Sequence, residues 1–279
     1  MSVPSEHSTA FGLGLEIVLG LTGLALLGLL ELRPAARARR DNDLLAPWPG
    51  PGSDLVLLFL CATCGGLLLP AAANLLLSRT AQNYETRLVL GAATFQLGLL
   101  GGIGVFHLGF ARAGRPASGP APGVLKSGVA TVLIALPLVF GAALAWQGLL
   151  AWRGFPVETP DNVQNLLNTH SPALRVVYVI VAVGIAPVTE ELLFRAGLFR
   201  YFRGRAPRWI AIWLPALLFG ALHLLQAPLQ SLSSFAPLVV LGVVFSLAYE
   251  RTGRIGTTMV AHALFNLNTV VLVLLGVNT

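Results

Sequence analysis

Glu190 and Glu191 stand side by side in an apolar stretch, and Arg195 follows the second of them by four residues. Two further apolar stretches carry His223, four residues after Phe219, and His262, four residues before Asn266. Neighbouring residues on a helix point about 100° apart, so the two carboxylates cannot do the same job. Glu191 and Arg195 share a face and can form an intrahelical ion pair, which offsets the cost of burying both charges. Glu190 is left facing elsewhere without a local partner, as suits a general base. Phe219 shares a face with His223 and can pack its ring on the imidazole, while His262 and Asn266 point to one side. A water activator, a second basic group and two hydrogen-bond donors together make the equipment of hydrolysis. Each residue alone also has a structural reading: a membrane histidine bonded within the packing, or a Glu–Arg pair serving as a brace. The combination favours function.

The elements that must position these groups are transmembrane helices. The chain has 279 residues, of which 55% are hydrophobic and 11% charged, with a mean hydropathy of +0.76. A soluble domain carries roughly 25% charged residues, so this chain lacks the polar surface to dissolve. Apolar runs of about 20 residues recur, the length that crosses hydrocarbon as a helix. They predict an all-α polytopic bundle of about eight spans, near 10–32, 54–77, 87–111, 124–152, 173–202, 208–226, 235–250 and 256–277. The first has no basic leader and is followed by Arg33, Arg37, Arg39 and Arg40, so it reads as a retained span rather than a signal peptide. The Gly- and Pro-rich segment 114–123 reads as a linker. It separates three amino-terminal helices (1–123) from a five-helix catalytic core (124–279). The polar stretch 152–172 reads as a loop with room for a short amphipathic piece.

Within the fifth span Pro187 removes a backbone donor and is expected to bend or restart the helix. Glu16, Glu31 and His107 lie near span ends and need no role beyond reaching the headgroups. The first four spans carry nothing comparable to the later polar set. Gly98 and Gly102 form a G-x-x-x-G that permits close helix contact. Cys61 and Cys64 read as small packing residues, with no redox or disulfide role implied.

Charge sets the expected orientation. With the amino terminus outside, the inner loops hold Arg33, Arg37, Arg39, Arg40, Arg112, Arg115, Lys126, Arg200, Arg203, Arg205, Arg208, Arg251 and Arg254. The outer loops then hold Arg79, Arg87, Arg153 and Arg175, and Arg195 lies within a span. This bias predicts both termini outside, and it accounts for the net charge of +6 without a nucleic-acid partner. Counting about 1.5 Å per residue from the inner boundary puts Glu190, His223 and His262 about 14, 20 and 10 Å deep. They can converge, and the expectation is a site opening toward the cytoplasm. Lys126 is the only Lys beside 17 Arg, which points to a GC-rich genome and a bacterial cell membrane.

The strings EELLFR (Glu190–Arg195), FGALH (Phe219–His223) and HALFN (His262–Asn266) resemble the E-E-x-x-x-R, F-x-x-x-H and H-x-x-x-N/D motifs of the CPBP intramembrane proteases. That family includes type II CAAX prenyl endopeptidases and bacteriocin-processing and immunity proteins. The motifs occur in order, with one plain span between the second and third, and the resemblance covers about residues 124–279. Ala196 departs from the Gly that many members carry after the Arg, a packing difference. The resemblance implies an endopeptidase acting on membrane-associated proteins or peptides. In that reading Glu190 and His223 activate water, His262 and Asn266 stabilise the oxyanion, and Glu191 and Arg195 support the site. No cofactor is expected. The alternative is Zn²⁺ held by Glu190, His223 and His262, which would leave Asn266 without a task. Two rivals belong to other classes: a non-catalytic scaffold or immunity protein of the same fold, and a proton-coupled transporter, disfavoured because the polar residues crowd into one half of the chain.

Overall fold

A computed structural model describes residues 17–18, 20–29, 33, 45–77, 83–110, 123–157, 161–226 and 231–276. No strand occurs among the described residues. The bundle is all-α, and seven of its helices have the length and apolar composition to cross a membrane. The protein is a multi-pass membrane protein. In chain order the helices are α1 (Gly20–Leu29), α2 (Gly52–Leu77), α3 (Tyr84–Gly109), α4 (Val124–Trp152), the short α5 (Asp161–Leu167), α6 (Pro172–Arg203), α7 (Arg208–Gln226), α8 (Phe235–Thr252) and α9 (Ile255–Leu274). About half of the span expected at 10–32, and all of the expected linker except Gly123, lie outside the described residues. Gly123 itself has φ +103°, where a side chain would be strained, and opens α4. The short helix α5 falls in the stretch read as a polar loop.

Helices α2 and α3 form a close antiparallel pair. A Cβ placed on Gly98 would meet the carbonyl of Gly65, and one on Gly102 would meet the carbonyl of Cys61. The G-x-x-x-G of the third span is therefore a real seam, and only hydrogen fits at these positions. Cys61 and Cys64 are free thiols on the same helix; Cys61 is half-buried at the seam, but Cys64 is exposed, so the packing role expected of both does not extend to Cys64.

The span that looked plain in the sequence is the centre of the bundle. Two-thirds of α8 is buried, against at most one-third of any other span. It packs on α7 and α4, and a Cβ on Gly242 would come 2.9 Å from the Cβ of Ala216. A helix apolar all round belongs inside a bundle, not at its lipid face.

At one end of the bundle the loops are locked by arginines. Glu250, at the end of α8, accepts from Arg203 at 2.7 Å and from Arg208 at 2.6 Å. Arg200 donates to the Ala46 carbonyl at 2.6 Å and Arg205 to that of Gly50 at 2.7 Å. The basic residues that the charge bias places inside thus also tie α6, α7 and α8 to the segment before α2.

Pro187 does not break its helix. Helix α6 runs through as one span, with wider π turns at Val181–Ile185 and Leu192–Phe199 on either side of Ala186–Glu191. The extra residue in each wide turn absorbs the missing donor and the bulk of the ring, which a straight α-helix could not.

Candidate active site

The order of bonds around the first π turn decides where one motif residue goes. The Ala186 N–H bonds back to Val181, and Pro187 has no N–H to offer. The Ala182 carbonyl is therefore left without either helical donor that could close on it. Asn266 of α9 takes it, donating from Nδ2 at 2.7 Å. The irregular turn and the asparagine complete each other, since irregular backbone at membrane depth is tolerated where its free groups find partners.

One turn further along α6, Glu191 is fully buried and pairs with Arg195 at 3.0 Å, as the four-residue spacing predicts. The Arg195 guanidinium lies between the rings of Phe219, 4.9 Å away, and Phe245, 5.4 Å away. Aromatic faces replace the water that such a charge would hold. The absence of a side chain at Gly242 leaves room beside it, since a Cβ there would come 3.5 Å from Nη2.

His262 sits between the two glutamates. Its Nδ1 is 3.0 Å from Glu191 Oε1, and its Nε2 is 3.7 Å from Glu190 Oε2. A carboxylate accepts, so Nδ1 carries a proton and Nε2 is presented to Glu190 and the cavity. His223 is oriented likewise, with Nδ1 donating to the Phe219 carbonyl at 2.8 Å, so that Nε2 is the free acceptor of the neutral ring. Phe219 packs edge-on against His223 at 4.9 Å between ring centres and against His262 at 6.1 Å. It also covers Arg195, so the phenylalanine of the second motif touches three of the polar residues rather than the one expected.

Glu190, His223, His262 and Asn266 all line one cavity of about 560 Å³. Glu191 and Arg195 stand behind it, in contact with His262 and Phe219. The cavity also takes in residues the sequence reading passed over. Gln96 of α3 and Gln147 of α4 line it, and Gln96 is bonded to Thr189, the neighbour of Glu190. The expectation that the first four spans contribute nothing comparable is corrected here. An uncharged amide barely dents hydropathy, but Gln96 is the one polar side chain in Phe95–Leu100, and that isolation was its signal.

The cavity reaches Leu88 at the start of α3, Asn165 on α5, Ser231 and Ser234 before α8, and Val273 near the end of α9. All of these lie at the end of the bundle opposite the Arg203–Glu250–Arg208 lock. The expectation of a site opening toward the Arg-rich end is thus set against a cavity whose lining runs to the other end. Phe199 and Tyr249 are buried on the Arg-rich side of these residues.

By type, Glu190 with Nε2 of His223 and of His262 is a set that could hold Zn²⁺. As placed, no three His, Cys, Asp or Glu among the described residues lie together closely enough to hold a metal ion. The argument that zinc would leave Asn266 idle falls away, because Asn266 has a partner in Ala182.

Residues 172–268 match the profile of the family described as type II CAAX prenyl endopeptidase Rce1-like. They hold all three motifs and every polar cavity residue named above except Gln96, Gln147 and Asn165. This part of the chain is similar to the CPBP family. Among curated proteins, the chain is similar to an uncharacterized protein of Mycoplasma capricolum, 32% identical over 100 residues, which are 36% of this chain and 28% of the relative. It is also similar to the UPF0177 protein YbdI of Lactococcus lactis, 31% identical over 91 residues, which are 33% of this chain and 45% of that protein. The chain spans less than half the length of either relative. No solved structure matches.

Proposed function

We propose that the protein is an intramembrane endopeptidase in which side chains activate the water directly. What carries this reading is the convergence of Glu190, His223 and His262 from three helices on one cavity, each histidine with Nδ1 tied back and Nε2 free. A water between Glu190 and His223 donates its two hydrogens to the carboxylate and to Nε2, leaving a lone pair for the scissile carbonyl. As oxygen adds to carbon, Glu190 takes one proton. The C–N bond then breaks as that proton passes to the leaving nitrogen. Negative charge on the carbonyl oxygen is met by His262, whose Nε2 faces the cavity between the two glutamates. Asn266 has a second Nδ2 hydrogen, beyond the one given to Ala182, for the same oxygen. Removing a single oxyanion donor lowers kcat by about 10²–10³ in other hydrolases.

With the Arg-rich end in the cytoplasm, as the positive-inside bias requires, the cavity opens toward the outer face of a bacterial membrane. The substrate is then a membrane-associated protein or peptide reached from that side.

The test is a proteomic comparison of membranes carrying wild type or Glu190→Ala. One precursor should accumulate uncut with the variant, at unchanged protein level. A biological function that survives the substitution, with no precursor, would instead favour a scaffold of the same fold. Metal analysis of the purified protein addresses the other branch: stoichiometric Zn²⁺, with cleavage lost on chelation, would replace the direct mechanism by a metal-assisted one.

A further inference from the structure

Gln96 lies on α3, outside the matched segment 172–268, yet its side chain enters the cavity that Glu190 lines. Its Oε1 accepts from the Thr189 hydroxyl at 2.5 Å. In this arrangement Oε1 faces Thr189, whose hydroxyl is shared with the Ala186 carbonyl at 2.9 Å, and Nε2 is turned away from it. Nε2 carries two N–H donors, and neither has a partner among the described residues. An amide at the middle of a membrane span gains nothing from lipid, and an unmade bond in such a place is costly. Gln96 is also held firmly. The Gly98 and Gly102 seam that presses α3 onto α2 lies within two turns of it on the same helix, and Phe95 beside it lines the same cavity.

We infer that Gln96 is a substrate-binding residue, its Nε2 donating to a backbone carbonyl of the peptide lying across Glu190, with Thr189 as its positioning residue. A peptide entering the cavity must shed water from its own carbonyls, and each then needs a donor. Apart from Glu190 and the histidines, the polar groups lining the cavity are uncharged amides and hydroxyls such as Gln147, Asn165 and Asn268. These suit the backbone of an extended segment better than a charged side chain. In this reading the amino-terminal helices are part of the enzyme's specificity and not only an anchor.

The inference rests on the peptidase reading, and the experiment keeps the two failures apart. The probe is a synthetic peptide spanning the cut in the precursor that accumulates with Glu190→Ala, assayed with purified full-length protein in detergent. Glu190→Ala must be inactive on it; if it cleaves, the peptidase reading fails first, whatever Gln96 does. Gln96→Leu should lower kcat/KM about tenfold, mainly through KM, with an unchanged melting temperature. Thr189→Val should give a smaller loss of the same kind, and Thr189→Ser should restore it. Thioamide replacement of single carbonyls in the peptide supplies the readout that a structural role would not move. At one position the thioamide should weaken cleavage by wild type and have no further effect on Gln96→Leu. Equal kinetics of Gln96→Leu and wild type would overturn the inference, and so would losses that add independently at every carbonyl. Should Gln96→Leu fold poorly, the Thr189 pair with the thioamide series decides alone.

Discussion

Asn266 and Pro187 act as a unit, and the unit can be taken apart. Asn266→Ala takes the side-chain donor from the Ala182 carbonyl, a loss of about 0.5–1.5 kcal/mol in stability. Pro187→Ala returns an N–H to α6 and lets the wide turn close on its own carbonyls. The destabilisation by Asn266→Ala should therefore be smaller in the Pro187→Ala background, a coupling of about 0.5–3 kcal/mol for residues that share a partner. Thermal unfolding of the four proteins in detergent measures it. Activity should not return in the double variant, because the turn that orients Glu190 has changed shape. Additive stability losses would mean that Asn266 does not brace the turn. A similar logic separates charge from shape at Arg195. Between Phe219 and Phe245 a planar guanidinium fits and a compact ammonium does not. Arg195→Lys should keep the ion pair with Glu191 but lose most of the activity, while Arg195→Ala strands a buried carboxylate and costs about 3–5 kcal/mol. Activity assays beside melting curves distinguish the two.

At the scale of elements the decisive contact is the α2–α3 seam, because α3 is the helix that carries Gln96 and Phe95 to the cavity. Gly102→Val places a side chain against the Cys61 carbonyl and must push the two helices apart. The expected result is a lower melting temperature and reduced cleavage, although α6, α7 and α9 with their motifs are untouched. Cleavage equal to wild type would show that α3 need not be held where it is. Intrahelical features of this kind were legible in the sequence: the Glu191–Arg195 pair follows from a spacing of four, and the G-x-x-x-G from two glycines on one face. What joins helices was not. His262 sits between both glutamates because α9 packs on α6 in one register, and no spacing within either helix encodes that register. The central place of α8 was hidden for a related reason, since a helix apolar on every face reads the same whether lipid or protein surrounds it. Pro187 was legible as an irregularity, but the choice between a break and a pair of π turns depended on Asn266 from another helix.

The whole molecule adds the question of which face of the membrane the cavity meets. Sequence supplied two parts of the answer, the positive-inside count and the depth of each polar residue, and their combination pointed to the Arg-rich side. Depth measures position along a helix, however, and says nothing of where the helices splay. The cavity lining extends to the end carrying α5 and Ser231–Ser234, while Phe199 and Tyr249 are buried and Glu250 is paired with Arg203 and Arg208 at the other. Orientation thus becomes a single testable statement about both access and charge. In a background with Cys61 and Cys64 replaced by Ala, Asn168→Cys lies in the exposed stretch at the cavity end and Gly204→Cys in the exposed loop at the Arg-rich end. A maleimide that cannot cross membranes should label Asn168→Cys in intact cells, and Gly204→Cys only after permeabilisation. The reverse pattern would place the cavity in the cytoplasm and make this chain an exception to the charge rule. Its substrates would then be sought among proteins cut on the inner face. Labelling of Asn168→Cys should also slow when the bound peptide fills the cavity beside α5, which links the topology to occupancy of the site.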